Sequence, residues 1–318
     1  MRRLWPFIHL VPRQTHINFV GLAPFAAVLS VLLVLGSGAS LGLHGTKPVN
    51  FGVDFVGGTK MTVSTPAAPP LAKIRADLGG MGVDDAQVQG VGPNGAAIQF
   101  RSVTGKSDAA APAFVSGKLQ AAIPGLKVTG VSEVGATVSG ELIWNGLAAL
   151  GVALGLMLLY IWFRFQLQFG LGAILALAHD IVLTIGFLSI TRIEVSMDTI
   201  AALLTVIGYS MNEKVISFDR LRENLRKYKT TPLREVINLS ENERLSRTII
   251  TGTTALLALS GSMFNPASAL FALTATMAFG ILVGTYSSIY VALPVILVWG
   301  VKRDEEDAQP LKSRQPGR

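Results

Sequence analysis

The stretch "IGYSMNEKVISFDRLREN", residues 207–224, opens as an apolar helix and ends as a charged amphipathic one. Asn212, Glu213 and Lys214 stand before that change, where the surroundings are still apolar. If Thr199 to Phe218 crosses a membrane, Glu213 lies five residues inside its end, about 7–8 Å at 1.5 Å per residue. A charged side chain at the centre of a membrane helix costs about 2.5–3.5 kcal/mol on insertion scales, so the triplet needs a reason to be there.

The rest of the chain makes this a membrane segment. Of 318 residues, half are hydrophobic and 15% are charged, and the mean hydropathy is +0.49. This excludes an ordinary soluble domain. With no cysteine there is no disulfide framework, thiol nucleophile or cysteine-based metal site. Ile17 to Leu43 carries no charge and is long enough to span, with Arg2, Arg3 and Arg13 before it. A signal peptide shares that basic start, but its apolar run is shorter and ends in small residues, so an uncleaved first span is expected. Leu142–Phe163 and Phe169–Ile190 are the second and third spans. Thr248–Val301 holds 54 residues without a charge, enough for two more, with "MFNPAS" (263–268) as the turn between them. Six spans result.

Residues 44–139 differ in character. "TKMTVST" (59–65), "DAQVQGV" (85–91), "AAIQFRS" (96–102) and "LKVTGVSEV" (126–134) read as strands. "PPLAKIRADLGG" and "DAAAPAFVSGKLQAAIPG" between them read as short helices stopped by Gly or Pro. The order β-α-β-β-α-β predicts a small α+β, ferredoxin-like domain between helices 1 and 2.

Charge then sets the orientation. The net charge of +7 would suggest nucleic acid in a soluble protein, but here the basic residues gather in particular segments. Asp219–Arg247 alone holds eight, whereas 191–198 has one Arg and two acids. The positive-inside rule therefore places residues 1–16, the basic segment 219–247 and the tail 302–318 in the cytoplasm, and the α+β domain outside it. The basic helix "FDRLRENLRKYK" faces anionic lipid or another protein.

Few residues remain to carry chemistry. Glu213 reads either as a reversible proton carrier, since low dielectric lets modest field changes load a carboxyl, or as a structural ion-pair partner. Adjacent helical residues point about 100° apart, so Lys214 does not face Glu213 and is expected to snorkel toward the cytoplasm. Arg247, at the mouth of the next span, is the expected partner. His179 and Asp180, near the middle of the third span, form either a proton relay or a buried tie between helices. Gly151/Gly155 and Gly280/Gly284 suggest close helix contacts. "DFVGGT" (54–59) has paired glycines but lacks the Lys-Ser/Thr ending of a phosphate loop. With no Walker motif or metal-ligand cluster, energy must come from an ion gradient or a partner.

Several segments resemble the SecF family, the smaller subunits of the SecDF protein-export machinery within the resistance-nodulation-division superfamily. "FGVDFVGGT" (51–59) is similar to its G-[IV]-D-F-x-G-G-T signature, and "VGATVSGEL" (134–142) to its entry into the second span. "AHDIVLTIG" (178–186) matches the third span and residues 207–224 the fourth-span motif, while "SRTIITGTTALLAL" and "GILVGTYSSIYVALPVIL" cover the last two. The resemblance implies an inner-membrane, multi-pass, non-enzymatic subunit with both termini cytoplasmic and no cofactor beyond the proton gradient. It also implies a partner of the SecD type, the SecYEG channel, YajC and YidC as further candidates, and preprotein substrates, without nucleic acid.

Carried over residue by residue, the resemblance puts the fourth-span acid on Glu213 and the fifth-span arginine on Arg247. Asn212 matches the motif's Asn, Asp219, Arg220 and Arg222 its cytoplasmic end, and Asp54, Gly57, Gly58 and Thr59 the external signature. Three departures stand out: Glu213 replaces Asp, Lys214 replaces a small hydroxyl residue, and Ala136 replaces Pro. A cation beside the carboxylate favours its charged form, so proton loading is expected to be weaker. A structural subunit that holds SecD, and a small-molecule exporter of the wider superfamily, are the alternatives.

Overall fold

The computed structural model describes residues 15–84, 86–263 and 270–301. The expected 263–268 turn beyond Met263, most of the N-terminal segment and the tail after Val301 lie outside the described residues. Helix α1 (Phe19–Leu43) comes first; Asn18 caps it by accepting from Gly21 N–H. The N–H of Val20, an orphan of the first turn, is taken by Asn238 Oδ1 at 2.9 Å. A short strand β1 (Asn50–Phe51) and a single turn α2 (Val53–Val56) lead into the α+β domain.

That domain runs β2 (Gly58–Ser64), α3 (Leu71–Gly80), β3 (Val83–Asp84), β4 (Gln87–Val91), β5 (Gly95–Phe100), β6 (Ser102–Val103), α4 (Ala111–Ala122) and β7 (Lys127–Val134). Its main sheet is antiparallel in the order β4-β5-β2-β7. Alternate residues of β2, including Met61 and Val63, are buried, as the period of two requires. They pack on Ile98 of β5, Ile74 and Leu78 of α3, and Val115 and Leu119 of α4.

The remaining elements are α5 (Ala136–Arg164), α6 (Leu167–Thr191), β8 (Glu194–Val195), α7 (Met197–Lys227), α8 (Leu233–Met263), α9 (Phe271–Tyr290) and α10 (Ala292–Trp299). Pro294 has no N–H for the carbonyl of Tyr290, which separates α9 from α10. Four helical segments have the length and hydropathy of a membrane span: Phe19–Leu43, Val138–Arg164, Leu167–Thr191 and Phe271–Trp299. Helices α7 and α8 are longer, 31 residues each, but their charged residues keep them from meeting the same measure. Residues 219–247, expected as a separate basic segment, mostly continue these two helices; α8 starts fifteen residues before Thr248.

Helix α7 is central. It packs against α9, α8, α6 and α5. Gly280 and Gly284 make the α9 contact possible: a Cβ at Gly280 would strike Val206, and one at Gly284 would lie 3.0 Å from Ser210 Cβ. Gly151 and Gly155 have nothing within 4 Å of a built Cβ, so the close contact expected there is not made within this chain. Ser37 of α1 approaches α6 where Gly186 has no side chain, and Ser40 Oγ meets Ser189 Oγ at 2.8 Å. Strand β1 pairs in parallel with β8, joining the start of the α+β domain to the loop before α7.

Candidate functional site

The buried charged and histidine side chains among the described residues are His179, Asp180, Glu213, Lys214, Glu241 and Arg244, and all six belong to the helical bundle. They form two groups that meet α7 at the adjacent residues Lys214 and Glu213, which project about 100° apart.

The first group joins α6, α7 and α9. Lys214, completely buried, places Nζ 2.8 Å from Asp180 Oδ2 and 3.1 Å from Ser287 Oγ, and donates also to Ser210 Oγ. Ser210 and Ser287 donate to the same Asp180 oxygen at 2.5 and 2.8 Å. His179 Nδ1 lies 3.2 Å from Asp180 Oδ1, and its ring stacks on Tyr286 with centroids 6.1 Å apart. Lys214 therefore does not snorkel. Its stem runs inward because position 214 faces α6 and α9, where a carboxylate and two hydroxyls satisfy the ammonium.

The second group joins α7, α8 and α9. Glu213, 1% exposed, accepts at Oε2 from Thr248 Oγ1 at 3.1 Å and from Arg244 Nη1 at 3.4 Å. Arg244 also donates to Glu241 Oε2 at 2.6 Å, Thr248 Oγ1 at 2.9 Å and Ser288 Oγ at 3.0 Å. Ser217 Oγ donates to Glu241 Oε1 at 2.7 Å. Arg247, the expected partner of Glu213, is exposed on the outer face of α8. The cation is Arg244, three residues earlier and buried.

Sequence reading missed Arg244, Glu241 and the serines because their segment was taken as lying before the fifth span. The usable signal was the Ser240, Glu241, Arg244, Thr248 spacing, which places four polar residues on one helical stripe. Asn212, also in the triplet, points away from both groups and is exposed at the same depth.

The flanking motifs hold the ends of α7. Asp219 pairs with Arg164 at 2.9 Å; Arg220 bonds Glu243 at 2.8 Å and Glu223 at 2.7 Å. Arg222 lies over the Phe165 ring at 5.7 Å. At the other end, Asp54 Oδ2 accepts from the backbone N–H of Met197, the first residue of α7, at 2.9 Å. The turn that presents Asp54 requires glycines: Gly57 and Gly58 have φ of 71° and 117°, and a Cβ at Gly58 would strike the Phe100 carbonyl. Thr59 is buried behind them. No group of three or more metal-ligating side chains occurs among the described residues.

Comparison with known proteins fits this arrangement. Residues 115–302 match the family model for the C-terminal region of the protein export membrane proteins SecD/SecF. Residues 45–65 match the SecD/SecF GG motif, which includes Asp54 and the two glycines. The chain is 37% identical to the protein translocase subunit SecF of Rhodobacter capsulatus, with 95% of each chain aligned. It is 40% identical to that of Cereibacter sphaeroides, with 93% of each aligned. The chain belongs to the SecF family of protein translocase subunits. Among solved structures it resembles SecDF from Thermus thermophilus, a translocon-associated membrane protein, with a TM-score of 0.81 and 32% identity. That match covers 91% of this chain and 39% of the SecDF chain. SecDF in a super-membrane-facing form gives a TM-score of 0.64. As a SecF-family subunit, this chain builds its two buried charge groups around the helix whose first backbone N–H is held by Asp54.

Proposed function

We propose that this SecF-family subunit assists Sec-dependent export of preproteins across the bacterial inner membrane by drawing on the proton motive force. Glu213 carries the proton and Arg244 is its counter-cation. The single observation that carries the reading is the contact between them. A carboxylate excluded from solvent meets Arg244 at 3.4 Å and Thr248 Oγ1 at 3.1 Å, and that guanidinium is engaged more closely, at 2.6 Å, by a second acid, Glu241.

In this reading α1, α5, α6, α7, α8 and α9–α10 are six spans, both termini are cytoplasmic, and the α+β domain is external and ferredoxin-like; its sheet order supports that. The partner is of the SecD type. It covers the outer face of α7 and α8, where Asn212 and Arg247 are exposed at membrane depth, and supplies what Gly151 and Gly155 lack. The remaining partners are the SecYEG channel, YajC, YidC and the exported chain.

Glu213→Gln in the assembled complex tests the proton role: export driven by a proton gradient is lost while assembly persists. Export at the unsubstituted rate rejects it. A second reading, a subunit that mainly holds SecD, is favoured by Lys214, whose bond to Asp180 ties three helices by an internal charge pair. Lys214→Thr, made together with Asp180→Asn so that no buried carboxylate is left without its counter-ion, separates the two: stronger proton-dependent export identifies a pump weakened by that lysine.

A further inference from the structure

Glu241 is as buried as Glu213, 1% exposed. Two carboxylates thus share one guanidinium, and Glu241 is the nearer, 2.6 Å against 3.4 Å. With all three ionised the group carries a net negative charge away from water, a state whose desolvation cost is relieved by binding one proton. The two acids also differ in depth. Glu241 is bonded to Ser217, four residues or about 6 Å along α7 from Glu213, toward the end where Asp219–Lys227 continues the helix. Beyond it lies Glu243, part-exposed, accepting from Asn224 at 2.6 Å and Arg220 at 2.8 Å.

Resting on the reading of Glu213 as proton carrier, we propose that Glu241 is a second proton-carrying carboxylate, linked to Glu213 through the shared guanidinium of Arg244 and placed on the side from which the proton leaves. Glu213 gives up its carboxyl proton, a Glu241 oxygen takes it, and Arg244 shifts toward whichever acid is ionised. Glu241 then releases the proton to solvent at the Glu243 end. No other reactant is needed. The other titratable groups facing the site are Tyr209 beside Glu213 and Arg244, Tyr290 near Glu241, and Lys214 near Glu213. Asp180 and His179 on α6 are engaged with Lys214 and each other.

The test is an infrared titration of carboxyl groups in the full chain reconstituted with its SecD-type partner. The unsubstituted protein gives two linked carboxyl steps. Glu241→Gln leaves one step, and proton binding to Glu213 weakens about tenfold because Arg244 then serves it alone. The double variant Glu241→Gln/Arg244→Gln, which leaves Glu213 without its guanidinium, instead tightens proton binding to Glu213 about tenfold. A single unlinked step in the unsubstituted protein overturns the proposal. So does a Glu241→Gln titration identical to it while Glu213→Gln removes the signal, an outcome that leaves Glu213 as sole carrier. If Glu213→Gln keeps both signal and export, the proton role of Glu213 falls, and this inference with it.

Discussion

Lys214 Nζ lies 2.8 Å from Asp180 Oδ2, with both side chains 1% exposed or less. The residue that looks most out of place in the sequence is thus the counter-ion of the third-span aspartate. Removing one partner strands the other charge in the bundle, at a cost of about 3–5 kcal/mol. Lys214→Met and Asp180→Asn are each expected to lower the thermal stability of the complex by that order. The double variant Lys214→Met/Asp180→Asn recovers most of it. Additive losses in a double-mutant cycle by detergent melting would contradict the pairing.

Asp54 Oδ2 receives the Met197 N–H, so the GG-motif turn grips the N-terminal end of the helix that carries Glu213. A carboxylate there also favours the helix dipole. Asp54→Ala is expected to cost about 1–2 kcal/mol, as loss of a helix cap does, and to raise amide exchange over the first turn of α7. Unchanged exchange at residues 197–200 would argue against the link.

Gly280 lies against Val206 so closely that a Cβ would strike it. Gly280→Leu is expected to destabilise the α7–α9 contact by about 1–3 kcal/mol. Gly151→Leu, with open space around it, leaves the isolated chain unaffected but weakens co-purification with a SecD-type partner. Equal effects of the two substitutions on the isolated chain would remove the distinction.

Glu223, on the exposed charged end of α7, has its carboxyl held below the ordinary value, first by the hydrogen bond from Lys227 and then by that from Arg220. Because the folded value is depressed, the stabilisation is full above the ordinary carboxylate range and disappears as pH falls through the lowered value. Exchange protection of residues 221–227 should therefore fall in acid. In Glu223→Gln it should be lower at neutral pH and insensitive to acid; an unaltered acid response in that variant would exclude Glu223 as its source.

Hydropathy and local periodicity fixed much of this protein before any tertiary contact. Apolar length marks α1, α5, α6 and the α9–α10 region, and alternation in "TKMTVST" marks β2, because both signals reside in consecutive residues. The paired glycines of "DFVGGT" were visible for the same reason, but the turn they make, and its hold on Met197, were not. Nor was the identity of the ion pairs. Arg244 and Arg247 project about 60° apart around α8; which of them meets Glu213 depends on how α8 is rotated against α7 and α9. That rotation is set by packing at Val236, Ile237 and Gly252 on its buried face. Lys214 likewise turns inward only because α6 brings Asp180 to it. The sequence determined that charges interrupt apolar helices; the tertiary structure decided which of them neutralise one another, since pairing requires side chains from different helices to meet within about 3 Å.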